Sequence, residues 1–361
     1  MKKSILIFGL IFFTSFLFAQ QYTLIPDANF EQALIDLGYD DLIDGRVLTA
    51  NIESVDNLTI RYLFISDLTG IEDFSALDFL DCAHNQIAYL NLSGNPLLTW
   101  LNCGYNPIDS VDISQNSNLI KMICVEGQLT SIDVSNNTNL DFLNIWINNL
   151  TSLDVSQNTS LLFLDFSYNE VSSIDLSNNL LLETFWCDEN KLTSLNVTAN
   201  TLLIDLWCID NQLTELNIKN GNNFNLGAFY AINNPDLTCI EVDSAEEAYL
   251  YPNWNKDEWA IYSENCEGVD IEESLTKNIH LQHHPNPFST STTFEYTLQH
   301  PSAVQIIIFN YFGEKIDIIR QKQSLGKQQV TWNAKGLPSG VYYYRMQAGD
   351  QVASGKMVLV K

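Results

Sequence analysis

Histidine is scarce in this sequence, five residues in 361, and only His84 falls inside its repeated part. There is no G-x-S-x-G elbow, no H-E-x-x-H and no phosphate-binding glycine loop, which argues against the common hydrolase, zinc-protease and nucleotide chemistries. A Ser-His-Asp site in the repeats would have to use His84, so no catalytic, metal-binding or cofactor-binding residue is expected. Positive charge is also sparse: 17 Lys and Arg stand against 44 Asp and Glu, a net −27. From Ile279 onward eight basic residues meet four acidic ones, +4, which leaves −31 on residues 1–278. Such a body repels nucleic acid and anionic lipid, so no nucleic-acid partner is expected. The acidity keeps an exported chain soluble or attracts divalent cations or a basic partner. Long apolar runs are missing except between Ile5 and Phe18. With Lys2 and Lys3 before it and Ala19 after it, this run gives residues 1–19 the form of a secretory signal peptide, too short to span a membrane. No transmembrane segment is expected after its removal.

What is abundant is leucine at a fixed period. From Leu77 the pattern L-x-x-L-x-C-x-x-N-x-I-x-x-L-x-L-x-x-N recurs seven times at a spacing of 21, to about residue 223. Leu77, Leu98, Leu119, Leu140, Leu161, Leu182 and Leu203 form one column; Leu80, Leu101, Met122, Leu143, Leu164, Phe185 and Leu206 form another. A fixed period of this length means a solenoid, whose units bury their apolar faces only by stacking. Two asparagine columns, Asn85 to Asn211 (interrupted by Gly127) and Asn95 to Asn200, are expected to satisfy backbone groups where the chain turns inward, with stacked Asn side chains continuing between coils. Cys82, Cys103, Cys124, Cys187 and Cys208 share a column with Ile145, Phe166 and Phe229, so they are expected as free, buried core fillers.

The doubled 21-residue unit resembles the IRREKO class of bacterial leucine-rich repeats, and Ser66 to Phe74 resembles the rungs of internalin-like repeats. The resemblance implies a fold and an interaction role, and no reaction. Before the repeats, Asp27 is a plausible N-cap for a helix through Leu37 that covers the first rung. Residues 20–51 therefore form an N-terminal cap and 52–238 the solenoid. Asp40, Asp44 and Gly45 suggest a polar turn more than a calcium loop, because Leu42 stands where an oxygen ligand is needed. Cys239 and Cys266 bracket an aromatic segment outside the repeat column, and in an oxidising compartment a disulfide closing a C-terminal cap over 239–266 is expected.

Residues 267–284 have the polar composition of a linker, and its three histidines, His280, His283 and His284, lack an ordered fourth metal ligand. From Pro285 strand-like runs bounded by turn residues give a small immunoglobulin-like β-sandwich over 285–361. Pro285-Asn286-Pro287-Phe288, Ile308 to Gly313, Gly336 to Arg345 with Gly340, and the terminal run from Lys356 resemble a type A sorting domain of the type IX secretion system. The resemblance implies Sec export, contact with the secretion machinery and removal of the domain by a sortase-like peptidase, leaving the chain secreted or on the outer-membrane surface. The fold class is thus mainly β: a leucine-rich-repeat solenoid with a short N-terminal helical cap, then a small β-sandwich.

Strand alternation sorts the repeat columns by face. If Leu80 and Cys82 point inward, the columns of residues 79, 81 and 83 point outward. They hold Trp100, Phe142 and Phe163, then Trp186 and Trp207, then Trp146. These tryptophans are predicted to lie exposed on one face, rimmed by Asp165, Asp188, Glu189 and Asp210, as a surface for a protein or glycan ligand. The alternative is that stacked aromatics merely stabilise neighbouring coils. The second half of each repeat presents a bland face, with Ser110, Ser131, Ser152, Ser173 and Ser194 in one outward column.

Overall fold

The computed structural model describes residues 20–266, 279, 281–298, 300–311, 315–349 and 351–361. The proposed signal peptide, most of the expected linker, His280 and Gly313 lie outside the described residues. In the solenoid, three-residue strands at 57–59, 79–81, 100–102, 121–123, 142–144, 163–165, 184–186 and 205–207, then 228–231, pair in parallel. The period alone dictates the register: Leu80 pairs with Leu101, Leu101 with Met122 and Met122 with Leu143. The two leucine columns are fully buried.

The five repeat cysteines are free and buried, and burial pushes the thiols of Cys82, Cys187 and Cys208 upward. Four of them aim Sγ at a carbonyl of the next coil, as Cys187 does at Trp207 O, 3.3 Å away. Both asparagine columns are buried, and they work through the backbone. Asn106 Nδ2 donates to Cys82 O and Cys103 O, and its Oδ1 accepts from Ile87 N–H. Asn116 Nδ2 donates to Leu92 O at 3.1 Å and to Asn95 O at 2.8 Å. The expected side-chain-to-side-chain stacking is thus replaced by amide-to-carbonyl bonds that stitch each coil to the one before.

A feature absent from the sequence reading recurs in every coil. His84, Tyr105, Glu126, Ile147, Tyr168, Glu189 and Asp210 all have left-handed φ between 48° and 57°, and none is glycine. An L-residue there costs roughly 1 kcal/mol. The conformation persists because each N–H donates to a carbonyl of the next coil, as Tyr105 N does to Val125 O at 2.7 Å.

At the N-terminal end Asp27 caps the helix Ala28–Asp36, accepting from Asn29 N and Phe30 N. Its other oxygen accepts from Ser66 N, Ser66 Oγ and Asp67 N, joining the cap to the first coil. Burial would raise its pKa, but these bonds win and hold the carboxyl below the usual range. The turn at Asp40, Asp44 and Gly45 is organised by Glu31, which is 1% exposed and whose Oε1 accepts from Asp44 N, Gly45 N and Arg46 N at 2.8, 2.7 and 3.0 Å.

At the other end the strands 215–217, 239–241 and 261–263 pair in parallel, and Cys239 is bonded to Cys266. The C-terminal domain has two antiparallel sheets, 282–284/291–298/326–333 and 315–323/302–309/340–348/351–359. Phe294, Trp332, Tyr342, Tyr344 and Met346 fill the core between them. The expected linker is too long by its last residues. Gln282–His284 is a strand paired with 293–295, Ile279 is buried, and His283 packs against Phe294 and Tyr344 rather than facing a metal. Asn286 Oδ1 accepts from Val358 N at 2.8 Å, Phe288 is buried and exchanges backbone bonds with Val358 and Val360, and Gly340 pairs with Leu359. The Pro-Asn-Pro-Phe motif therefore clasps the last strand.

Candidate functional site

The outward columns of the parallel sheet carry the predicted aromatics, but the rings are half-buried rather than exposed. The cause is the parallel register. Coils about 4.8 Å apart bring side chains of one column to ring-stacking distance, so each ring covers its neighbour. Phe79 and Trp100 stack with centroids 4.0 Å apart at 7°, and Phe142 and Phe163 stack at 4.2 Å and 6°. From Phe163 the row crosses to the next column: Phe163–Trp186 at 5.3 Å, Trp186–Trp207 at 5.1 Å and Trp207–Tyr230 at 5.2 Å. Trp100 is divided from this row by the coil of Lys121, whose Nζ lies 5.9 Å from the Phe142 ring. Trp146 stands apart in the third column, edge-on to Tyr168 at 6.0 Å.

The carboxylates differ from the expected exposed rim. Asp165 is only 4% exposed; burial raises its pKa against the hydrogen bond from Ser167 N. Ser167 Oγ in turn accepts from Asp188 N, and Asp188 Oδ1 accepts from Ile209 N at 2.7 Å. Asp188 is pushed up to about 6, chiefly by burial and then by Asp165, Asp210 and Glu189, with the Ile209 N–H opposing. Asp210 and Glu189 belong to the left-handed column. Asp205, beside the two tryptophans, is also raised by burial; the indole N–H groups of Trp186 and Trp207 oppose this from nearby, although neither closes a hydrogen bond of ordinary geometry.

A pH-dependent stability follows. The folded pKa of Asp188 lies above its unfolded value near 4, so the fold is favoured when the carboxyl is protonated and loses that contribution as pH rises through about 6. Asp188→Asn keeps the acceptor for Ile209 N–H. It is expected to stabilise the chain at pH 7.5 by ~1 kcal/mol, a figure discounted for partial exposure, with the gain vanishing below about pH 4. Denaturation midpoints across that range check it.

Two features escaped the sequence reading. His84 lies between the rings of Tyr62 and Tyr105, at 4.2 and 3.9 Å, with Arg61 over Tyr62 and paired to Asp81 at 3.5 Å. The column from His84 through Tyr105 and Tyr168 carried the signal. Beside the sheet runs a shallow lateral groove that includes Leu97, Thr99, Ile120 and Asp141. It continues as exposed aliphatics at Leu162, Leu181, Leu202 and Ile204. Their leucine-rich sequence reads as core, which hid them. Among the described residues no group of three or more His, Cys, Asp or Glu side chains could hold a metal ion.

Comparison with known proteins divides the chain. Residues 282–361 match the secretion system C-terminal sorting domain family. This domain directs type IX secretion to the cell surface or the extracellular space. None of the curated proteins matches the chain. Among solved structures, the internalin InlC2 of Listeria monocytogenes is 23% identical with a TM-score of 0.47, covering 53% of this chain and 87% of that one. The functional domain of InlJ from the same organism, which includes a cysteine ladder, is 19% identical with a TM-score of 0.35, covering 95% and 100%. A plant ice-binding protein is 18% identical with a TM-score of 0.43, covering 54% and 67%. Among the described residues no helix is long and apolar enough to cross a membrane.

Proposed function

We propose that this chain is an exported, non-catalytic recognition protein that binds a protein or glycan partner through the parallel-sheet face of its solenoid. The row Phe163–Trp186–Trp207–Tyr230 beside Asp188 and Asp210 carries this reading, because its rings run unbroken across four successive coils of one face. The other face keeps exposed Ser110, Ser131, Ser152, Ser173 and Ser194.

Stacking also narrows the partner. Phe142 and Phe163 hide their faces against each other, and Trp186 and Trp207, 5.1 Å apart and tilted by 31°, cover theirs in part, whereas a sugar ring needs an open aromatic face. Between the two classes this favours a protein, and the acidity of the face favours a basic one. The near-parallel pairs Phe79–Trp100 and Phe142–Phe163 support a second role, coil-to-coil stabilisation, for those four rings. Recognition then falls on Trp146, Trp186 and Trp207. Arrays of proteins and glycans probed with the full chain test this: binding to basic proteins that Trp186→Ala weakens supports it, and binding indifferent to that change overturns it.

A further inference from the structure

The four-stranded sheet of the sorting domain has a second surface, turned away from its core. Val304, Ile306, Ile308, Tyr342, Tyr344, Met346 and Met357 are buried, so the alternate residues point outward. Directly opposed residues of antiparallel strands share a side of the sheet, and the register assembles the outward set. Ile307 pairs with Arg345, Phe309 with Tyr343, Tyr343 with Lys356, and Gln305 with Arg320. Ile307 and Phe309 are half-buried, while Tyr343, Arg320, Arg345 and Lys356 are exposed. Arg320 is fixed by donating Nε to Gln305 Oε1 at 3.1 Å.

Among the described residues of the domain no carboxylate lies on this surface. The described acidic residues of the domain are Glu295, on the other sheet, and Asp317, which pairs with the inward Ile308 and accepts from the Trp332 indole at 3.0 Å. At the margin Lys322 meets Glu246 at 3.8 Å, both side chains well exposed. The result is a flat apolar centre ringed by cations on a chain whose other residues are strongly acidic.

We propose that this face binds an acidic surface of a partner protein during export, with Ile307, Phe309 and Tyr343 covered at its centre and Arg320, Arg345 and Lys356 paired around them. An apolar centre with a charged rim is the anatomy of a protein interface. An anionic membrane also takes cations around an apolar face, so the vesicle arm of the test below separates the two. The proposal rests on the sorting-domain assignment of residues 282–361 and is independent of what the solenoid binds.

The test is export of the full chain from a type IX-secreting bacterium, comparing Arg320→Glu with Arg345→Glu against Lys327→Glu with Lys335→Glu. The second pair makes the same charge change elsewhere in the domain. The first pair is expected to cut the surface-exposed amount at least tenfold and leave folded chain in the periplasm, while the second exports normally. Unchanged export of the first pair, or an equal fall in both, overturns the proposal. So does loss of binding to phosphatidylglycerol vesicles by the first pair with export intact, which assigns the face to lipid. If the first pair lowers the melting temperature, Arg320→Gln with Arg345→Gln is measured in its place, under the same outcomes.

Discussion

Replacing Glu31 by Ala is expected to remove about 3 kcal/mol of stability and to release the N-terminal cap from the first coil. One buried oxygen accepts three consecutive backbone N–H groups, of Asp44, Gly45 and Arg46. A carboxylate receiving several such bonds is charge-assisted on each, and its deletion leaves the donors facing apolar surroundings or newly admitted water. The damage spreads by geometry. The turn leads into the strand 46–48, which pairs antiparallel with 22–24, and Gly45 O accepts from Ile25 N. This strand pair is tied to the first coil by Thr23 Oγ1, which donates to Asp73 at 2.6 Å, and Phe30 stacks on Phe74 with rings 6.3 Å apart. A solenoid is held by nearest neighbours, so an uncovered first rung frays inward from its end. Hydrogen exchange should rise first across residues 22–48, and the denaturation midpoint should fall. Glu31→Gln keeps an acceptor oxygen without its charge and should lose about 1 kcal/mol.

The second large effect is on binding. Changing both Trp186 and Trp207 to Ala is expected to weaken the partner complex at least hundredfold, since centrally placed tryptophans of an interface are each typically worth about 2 kcal/mol or more. These rings sit mid-row, touching each other at 5.1 Å, with Phe163 and Tyr230 at either side, and they border the partly buried Asp188 and Asp205. Their removal also takes packing from two coils, so the melting temperature should fall by several degrees with the fold retained. Asp210→Arg separates the effects. It removes no packing and relieves the repulsion on Asp188, so it should weaken a basic partner without lowering the melting temperature.

How much of this was legible depends on what each residue answers to. Leu80, Leu101 and Cys103 answer to the period, and so do Asn106 and Asn116, so their burial was readable from spacing. Cys239 and Cys266 were readable because they fall outside the repeat column. The facing of Trp186 and Trp207 was readable from alternation, but their half-burial was not, because it comes from rings of successive coils covering one another. Asp165 looked like a rim residue, but like Asp81 in the same column it accepts from the N–H two residues on and is buried. Glu31 had no local signal, since its three partners lie 13 to 15 residues ahead. The left-handed column was hidden because His84, Tyr105 and Ile147 replace the glycine that would have announced it.

The most direct measurement compares two damaged faces of one chain. Wild type, Trp186→Ala with Trp207→Ala, and Ser131→Arg with Ser152→Arg on the opposite face are probed on the same protein and glycan arrays after equal folding is confirmed. Recognition through the parallel sheet predicts that the tryptophan variant loses the bound partner and the serine variant keeps it. Retained binding by the tryptophan variant, or loss by the serine variant, would contradict it.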